Sequence, residues 1–330
     1  MNFTSPLWRF MAALCCSVIM VFLAGVVLER ASNHLDPSYP NIKSAFQMRD
    51  RSFDLVVLGD STTSQGVNPV AALEGSDWSG FNLASPGANF LSMKSALRHY
   101  LKYNEPPSLV AVGVYVNIDG LDNGLSPNVY FGLDSDDRKL VVSEFKKLGV
   151  NPIDWKFELL NRIGAYRHRG AIELILKYVV TGAARVPEFI NGHLALTDRL
   201  FGPPRLPASN VAGFKLAMLR DLLQFARERG IKVVLFEPPN TPGFSDLTIG
   251  REAVLKEIDS IVSDGLAVGF ASFNDAGRFP FDYSEWINVN HLNSVGASRF
   301  SKELLGPWII QTLSERCDRV ESGQTTLGCN

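Results

Sequence analysis

Phe53-Asp54-Leu55-Val56-Val57-Leu58-Gly59-Asp60-Ser61-Thr62-Thr63-Ser64-Gln65-Gly66 is the stretch from which the fold can be read. From Phe53 to Leu58 the chain is almost wholly apolar and has the length of a buried strand. Gly59-Asp60 breaks that run, which leaves Ser61 at the strand's exit. The pattern recurs downstream. Phe81–Ala84 runs into Ser85-Pro86-Gly87-Ala88-Asn89, Leu109–Val116 is β-rich, Ile231–Phe236 ends at Glu237-Pro238-Pro239, and Ala267–Phe273 reads as a last strand. Segments of helical spacing lie between them: Ser92–Tyr103, Ser209–Gly230, Arg251–Val262 and Ser294–Leu305. In Ser209–Gly230, Val211, Phe214, Met218, Leu222 and Phe225 recur every three or four residues. Ser209 or Asn210 is placed to cap that helix, and Gly230 suits its C′ position.

Strands and helices in alternation, with strands apolar along their whole length, predict a parallel sheet covered on both faces. Such α/β sheets hold ligands at the carboxyl ends of their strands. The loops after Leu58, Ala84, Val116 and Phe236 should therefore share one rim. Leu121–Arg205 breaks the rhythm. It contains helical pieces (Asp136–Leu148 and Ile172–Val180) and no obvious strand, and Pro203-Pro204 and Pro207 mark its exit. It reads as a helical insertion at about 121–205, placed to cap the rim.

The first segment is a different kind of sequence. Phe10–Leu28 carries no charged residue, with Arg9 before it and Glu29-Arg30 after it. A bilayer-spanning helix needs about 20 apolar residues, whereas the apolar region of a cleaved signal peptide usually has about 7–15. No A-x-A cleavage site and no lipobox cysteine follow. Residues 1–32 read as a signal anchor and 33–330 as the domain it holds outside the cytoplasm, with cleavage as the alternative. Cys15 and Cys16 lie in the apolar run. Cys317 and Cys329 can close a disulfide over the C-terminal stretch in an oxidising compartment. The chain has 330 residues, 46% hydrophobic and 20% charged, with a net charge of -2. That balance gives no footprint for nucleic acid, and no cysteine or histidine spacing matches a zinc site.

Two features can carry chemistry. Ser61 follows a buried strand directly, where its N–H is free to stabilise an oxyanion. His291 lies in the polar loop Asn288-Val289-Asn290-His291-Leu292-Asn293 before the last helix. His34, His99, His168 and His193 lack such a context and read as structural. Neither Gly-x-Ser-x-Gly, a Walker motif nor Gly-x-Gly-x-x-Gly is present, and no cofactor is implied.

Gly59-Asp60-Ser61, Gly87, Asn117 and His291 occur in the order of the four marker residues of the SGNH (GDSL-like) hydrolase superfamily, after the first, second and third strands and before the last helix. The chain resembles that superfamily over roughly 53–116 and 209–308. His291-Leu292-Asn293-x-x-Gly296-Ala297 is similar to members acting on envelope polysaccharides, such as alginate O-acetyltransferase-like proteins and the membrane-anchored protein of teichoic-acid D-alanylation. The resemblance implies a three-layer, flavodoxin-like domain. Ser61 would be the nucleophile and His291 the base, with an oxyanion hole from the Ser61 and Gly87 N–H groups and the Asn117 amide. It also implies an ester substrate, either an acylated glycan or a small ester.

Two departures qualify the resemblance. The family's Gly-x-Asn-Asp appears here as Gly113-Val114-Tyr115-Val116-Asn117-Ile118-Asp119. The family's aspartate three residues before the histidine is replaced by Asn288, which can orient an imidazole but brings no charge. Three outcomes stay open: a Ser61–His291 dyad oriented by Asn288, Asp282 or Glu285 as substitute acid, or a catalytically inactive glycan-binding or assembly protein. Hydrolysis and acyl transfer also stay open. Transfer would need a membrane partner as acyl donor, because acetyl-CoA is cytoplasmic.

Overall fold

The computed structural model describes residues 6–35, 45–114, 125–148, 188–199, 209–210, 216–241, 244, 248–274 and 282–321. The chain divides into two units, Met1–Pro40 with Asn151–Val186, and Asn41–Val150 with Pro187–Asn330. In the first unit the described element is helix α1 (Pro6–Leu35), which contains the uncharged run and carries Cys15 and Cys16 as exposed free thiols. Among the described residues no helix is long and apolar enough to cross a membrane. The membrane-spanning expectation for residues 1–32 is thus not supported by the structure. Of the expected disulfide, Cys317 lies in a helix with its side chain outside the described residues, and Cys329 lies wholly outside them.

The second unit is α/β. Its elements before the insertion are β1 (Leu55–Leu58), α2 (Ser61–Gly66), α3 (Pro69–Ala72), β2 (Gly80–Asn82), α4 (Phe90–Tyr103) and β3 (Leu109–Gly113). Then come α5 (Pro127–Gly132), α6 (Ser135–Lys147), β4 (Glu188–Ile190), β5 (His193–Ala195) and β6 (Ser209–Asn210). The chain continues through α7 (Leu216–Arg227), β7 (Lys232–Glu237), β8 (Thr248–Ile249), α8 (Arg251–Ser263) and β9 (Gly269–Ser272). A 3-10 turn (Tyr283–Glu285), α9 (Ser294–Phe300), a π turn (Ser301–Leu305) and α10 (Gly306–Glu321) close it. The main sheet has five strands in the order β2-β1-β3-β7-β9. Every pairing is parallel, with Val56 opposite Phe81 and Val110, and Val110 opposite Val233.

Period-2 alternation separates two cores. Val56, Leu58, Val110, Val112, Val233 and Leu235 face α4, α7 and α8. Leu55, Val57, Leu109, Ala111, Val234 and Phe236 face Trp286, α9 and α10. Burying each such side chain fully stabilises by about 1.5–3 kcal/mol, so both faces tolerate little polarity. This explains why the strands read as continuous apolar runs. Taken in chain order, the sheet strands run 2-1-3-4-5, which reverses direction between β1 and β3. Ligand crevices form at such a reversal, and Ser61 follows β1 there.

The structure corrects several boundaries. Ser209 and Asn210 do not cap a helix: they form β6, which pairs in parallel with β8. The helix expected from there is described from Leu216, and Gly230 closes its end with φ +72°. The expected closing helix continues past Leu305 through α10. The insertion holds the helices α5 and α6, the latter over the expected 136–148, but it also holds an antiparallel hairpin of β4 and β5 where no strand was expected. The hairpin turns on Asn191-Gly192, both at positive φ (44° and 86°). That is the type I′ geometry which Asn-Gly favours and which matches strand twist. The expected helix over 172–180 lies outside the described residues.

Candidate active site

The turn Gly59-Asp60 sets Ser61 at the head of α2. Asp60 caps that helix, its Oδ1 accepting from Thr62 N–H (2.9 Å) and Thr62 Oγ1 (2.6 Å). Its carboxyl is buried, and desolvation pushes its pKa up. Glycine is required at the β1 exit because Thr63 fills the space there: a Cβ at Gly59 would lie 2.2 Å from Thr63 Oγ1.

His291 arrives from the far end of the chain. Its Nε2 lies 2.9 Å from Ser61 Oγ, and its Nδ1 lies 2.9 Å from Asn288 Oδ1. Asn288 Oδ1 also accepts from the N–H groups of Asn290 and His291, each at 3.1 Å. Backbone N–H groups only donate, so the amide oxygen, and not the NH₂, must occupy that position. His291 Nδ1 must then carry a proton to donate. In the neutral ring Nε2 is bare, and it accepts the Ser61 hydroxyl proton. Burial pushes His291 down to about 4, which keeps the ring neutral near pH 7.

Asp282 and Glu285 are engaged elsewhere. Asp282 caps the 3-10 turn by accepting from Ser284 N–H at 2.8 Å. Glu285 is buried and holds Arg299 in a two-pronged ion pair, with Nε at 2.6 Å from Oε1 and Nη2 on Oε2. Gly87 sits in the turn Ser85–Ala88, closed by Ala88 N–H on Ser85 O at 3.0 Å. Its φ of 71° with Pro86 before it fits a type II turn. Ser85 N–H donates to Gly59 O at 3.0 Å, which ties this turn to the one bearing Ser61. Within the described residues neither the Ser61 nor the Gly87 N–H donates a hydrogen bond. Asn117 lies outside the described residues.

Among the described residues, His99, Asp134 and Asp137 lie close enough together to share a metal ion. Their atoms are already engaged: His99 Nδ1 with Asp137 Oδ2 at 2.7 Å, and Asp134 Oδ2 with Lys102 Nζ at 2.6 Å and Tyr103 OH at 3.0 Å. The cluster therefore serves as a tie between α4 and α6.

Three further residues support the site, among them His193, which reads as structural from the sequence and is buried here. Asn82 is fully buried at the end of β2, and its Nδ2 donates to Thr63 O (3.0 Å) within α2 and to Val67 O (2.8 Å) at that helix's C-cap. Asn293 caps α9 through Val295 N–H and Gly296 N–H, both 3.1 Å from its Oδ1. His193 is fully buried on β5, which packs against α2. A buried asparagine after a strand has no local signature, but Asn293 before a helical run is a legible cap. The chain matches no family model and no curated protein sequence.

Proposed function

We propose that this protein is an SGNH-type serine esterase or O-acyltransferase with Ser61 as nucleophile and His291 as base. The observation that carries the reading is the directed relay Ser61 Oγ–His291 Nε2, His291 Nδ1–Asn288 Oδ1, with its tautomer fixed by the Asn288 turn. A serine hydroxyl is a weak nucleophile unless a base takes its proton as it attacks. Here Ser61 Oγ bonds to the ester carbonyl carbon as its proton passes to His291 Nε2. The Ser61 and Gly87 N–H groups, which donate to nothing among the described residues, are available to the oxyanion. Removing one such donor typically costs about 3–4 kcal/mol of barrier. Collapse breaks the bond to the leaving oxygen, which takes the proton from His291 and leaves Ser61 acylated. Water or a sugar hydroxyl then gives its proton to His291, attacks the acyl carbon, and releases Ser61 Oγ, which recovers the proton.

The choice of an acylated envelope or secreted glycan, with acetyl as the acyl group, rests on the resemblance of the His291-Leu292-Asn293-x-x-Gly296-Ala297 phrase. So does a membrane acyl-donor partner in the transferase case. Placement outside the cytoplasm rests on the uncharged run of residues 10–28. The test is p-nitrophenyl acetate hydrolysis by the full chain in detergent, beside Ser61→Ala. Turnover with a burst of p-nitrophenol that Ser61→Ala abolishes supports the acyl-enzyme. Equal rates in the two proteins would refute it and leave the glycan-binding reading.

A further inference from the structure

Ser61 and His291 are separated by 230 residues and belong to different elements, yet their reacting atoms lie 2.9 Å apart. The hairpin of β4 and β5 touches both sides of that gap. On the Ser61 side it covers the exposed edge of the sheet: the β2 edge N–H of Asn82 donates to Asn191 O at 2.8 Å, and Asn191 Nδ2 donates to Gly80 O at 3.3 Å. Gly192 lies so close that a Cβ there would sit 2.0 Å from Asn82 O. Asn82 in turn holds the carbonyls of Thr63 in α2 and Val67 at its C-cap. On β5, His193 is fully buried and its ring lies beside the Ser64 backbone of α2, but among the described residues neither ring nitrogen makes a hydrogen bond of normal geometry, so the ring acts chiefly by its shape.

On the His291 side, the segment leaving the hairpin holds the start of α9. Ser294 N–H donates to Leu196 O at 2.7 Å, and Asn293 Nδ2 donates to Asp198 O at 3.1 Å. Asn293 follows His291 by two positions and also donates to Ser284 O at 2.6 Å. One short piece of the insertion thus sets α2 through Asn82 and His193, and sets the His291 loop through Asn293 and Ser294.

We infer that residues 188–198 are a strap that fixes the distance between Ser61 and His291, with Asn82 and His193 as positioning residues. This rests on the proposed serine chemistry, and it assigns the insertion a part in assembling the site. Misplacement of reacting groups by about 1 Å can cost on the order of 100-fold in rate, so a loosened strap should be read in kcat and not in KM.

The test compares Gly192→Ala with Gly230→Ala in the full chain in detergent. Both place alanine at positive φ (86° and 72°), but a Cβ at Gly230 meets nothing within 4 Å. Three quantities are read: the rate at which an alkyl fluorophosphonate labels Ser61, kcat and KM for p-nitrophenyl acetate, and the His291 imidazole signals in [15N]histidine-labelled protein. We expect Gly192→Ala to slow labelling and kcat by about 10- to 100-fold, leave KM unchanged, and move the His291 signals, while Gly230→Ala does none of these. If Gly192→Ala fails to fold, His193→Ala, which opens a gap beside α2, takes its place, and His193→Phe should restore kcat by refilling it. Unchanged labelling, kcat and His291 signals in the folded variant overturn the strap. Wild-type protein that neither turns over nor labels refutes the serine chemistry instead. The imidazole signals then still decide the strap, which stands if they move in Gly192→Ala and falls if they do not.

Discussion

Asn288 Oδ1 lies 2.9 Å from His291 Nδ1, and the same oxygen accepts from the N–H of His291 itself at 3.1 Å. In a serine protease whose orienting aspartate is replaced by asparagine, about 10⁴ in turnover is lost because the ring takes the wrong tautomer. On the proposed serine chemistry Asn288 would avoid that loss, because its own turn holds the oxygen toward the ring. It still brings no charge to the imidazolium formed during attack. Asn288→Asp keeps the turn, since a carboxylate accepts the same N–H groups. A charge-assisted bond is roughly twice as strong as a neutral one, so kcat should rise by about 5- to 10-fold. Asn288→Ala should lower it by about tenfold, the value of one lost hydrogen bond. Steady-state turnover of p-nitrophenyl acetate for the two variants checks both directions.

The pH profile follows from the same ring. His291 must be neutral to act as base, and burial holds it down to about 4. The rate should therefore be flat through neutral pH and fall only as the pH drops toward 4. In Asn288→Asp the carboxylate favours the imidazolium, so the acidic limb should move to higher pH. A wild-type limb near the ordinary 6.5 would show that the ring is more solvated than its position implies. Measuring kcat/KM from pH 3.5 to 8.5 reads the free enzyme's base directly.

Glu285 separates two accounts of the third group. As a substitute acid, its loss would shift the pH profile. As a structural partner, its loss leaves the half-buried Arg299 with Glu303, 3.7 Å away, as its remaining carboxylate. The structure gives the second: Glu285 is buried and bound through both oxygens to Arg299. A hydrogen bond to a charged group contributes about 1.5–3 kcal/mol, and Arg299 keeps Glu303. Glu285→Gln should lower the unfolding free energy in urea by that order, while the acidic limb of the folded fraction stays where it was.

The sheet was legible because its strands are buried on both faces, so burial alone writes each of them as an apolar run. Ser61 was legible because it follows such a run almost directly, and His291 because it stands in a polar loop before the last helix. What could not be read is held by backbone geometry. The tautomer of His291 depends on which way the Asn288 amide points, and composition does not specify that. The hairpin was missed because its strands have only three residues each, too short for alternation to show. Asn191-Gly192 was the available signal, since that dipeptide between apolar residues marks a type I′ turn. Asn82 was missed for a different reason: its partners are the carbonyls of Thr63 and Val67, and backbone acceptors leave no complementary residue in the sequence to find.

His193 supplies a prediction on stability. Burial pushes its imidazole down to about 4, partly offset by the Ser64 backbone, and neither ring nitrogen makes a hydrogen bond of normal geometry. The ordinary value is 6.5, so the unfolded chain takes up the proton first as pH falls. The folded state therefore has its full stability above pH 6.5 and loses it progressively toward pH 4, by up to about 3 kcal/mol from this ring. His291, lowered in the same direction, adds to the loss. His193→Phe keeps a ring of similar size and removes the titration together with the unpaired nitrogens. The variant should equal or exceed wild type in stability at pH 7, and it should lose less between pH 6.5 and 4.5. Urea unfolding of both proteins across that range reads the difference, in which the carboxylates and His291 cancel. Parallel curves for the two proteins would mean that His193 reaches solvent or a partner in the folded state.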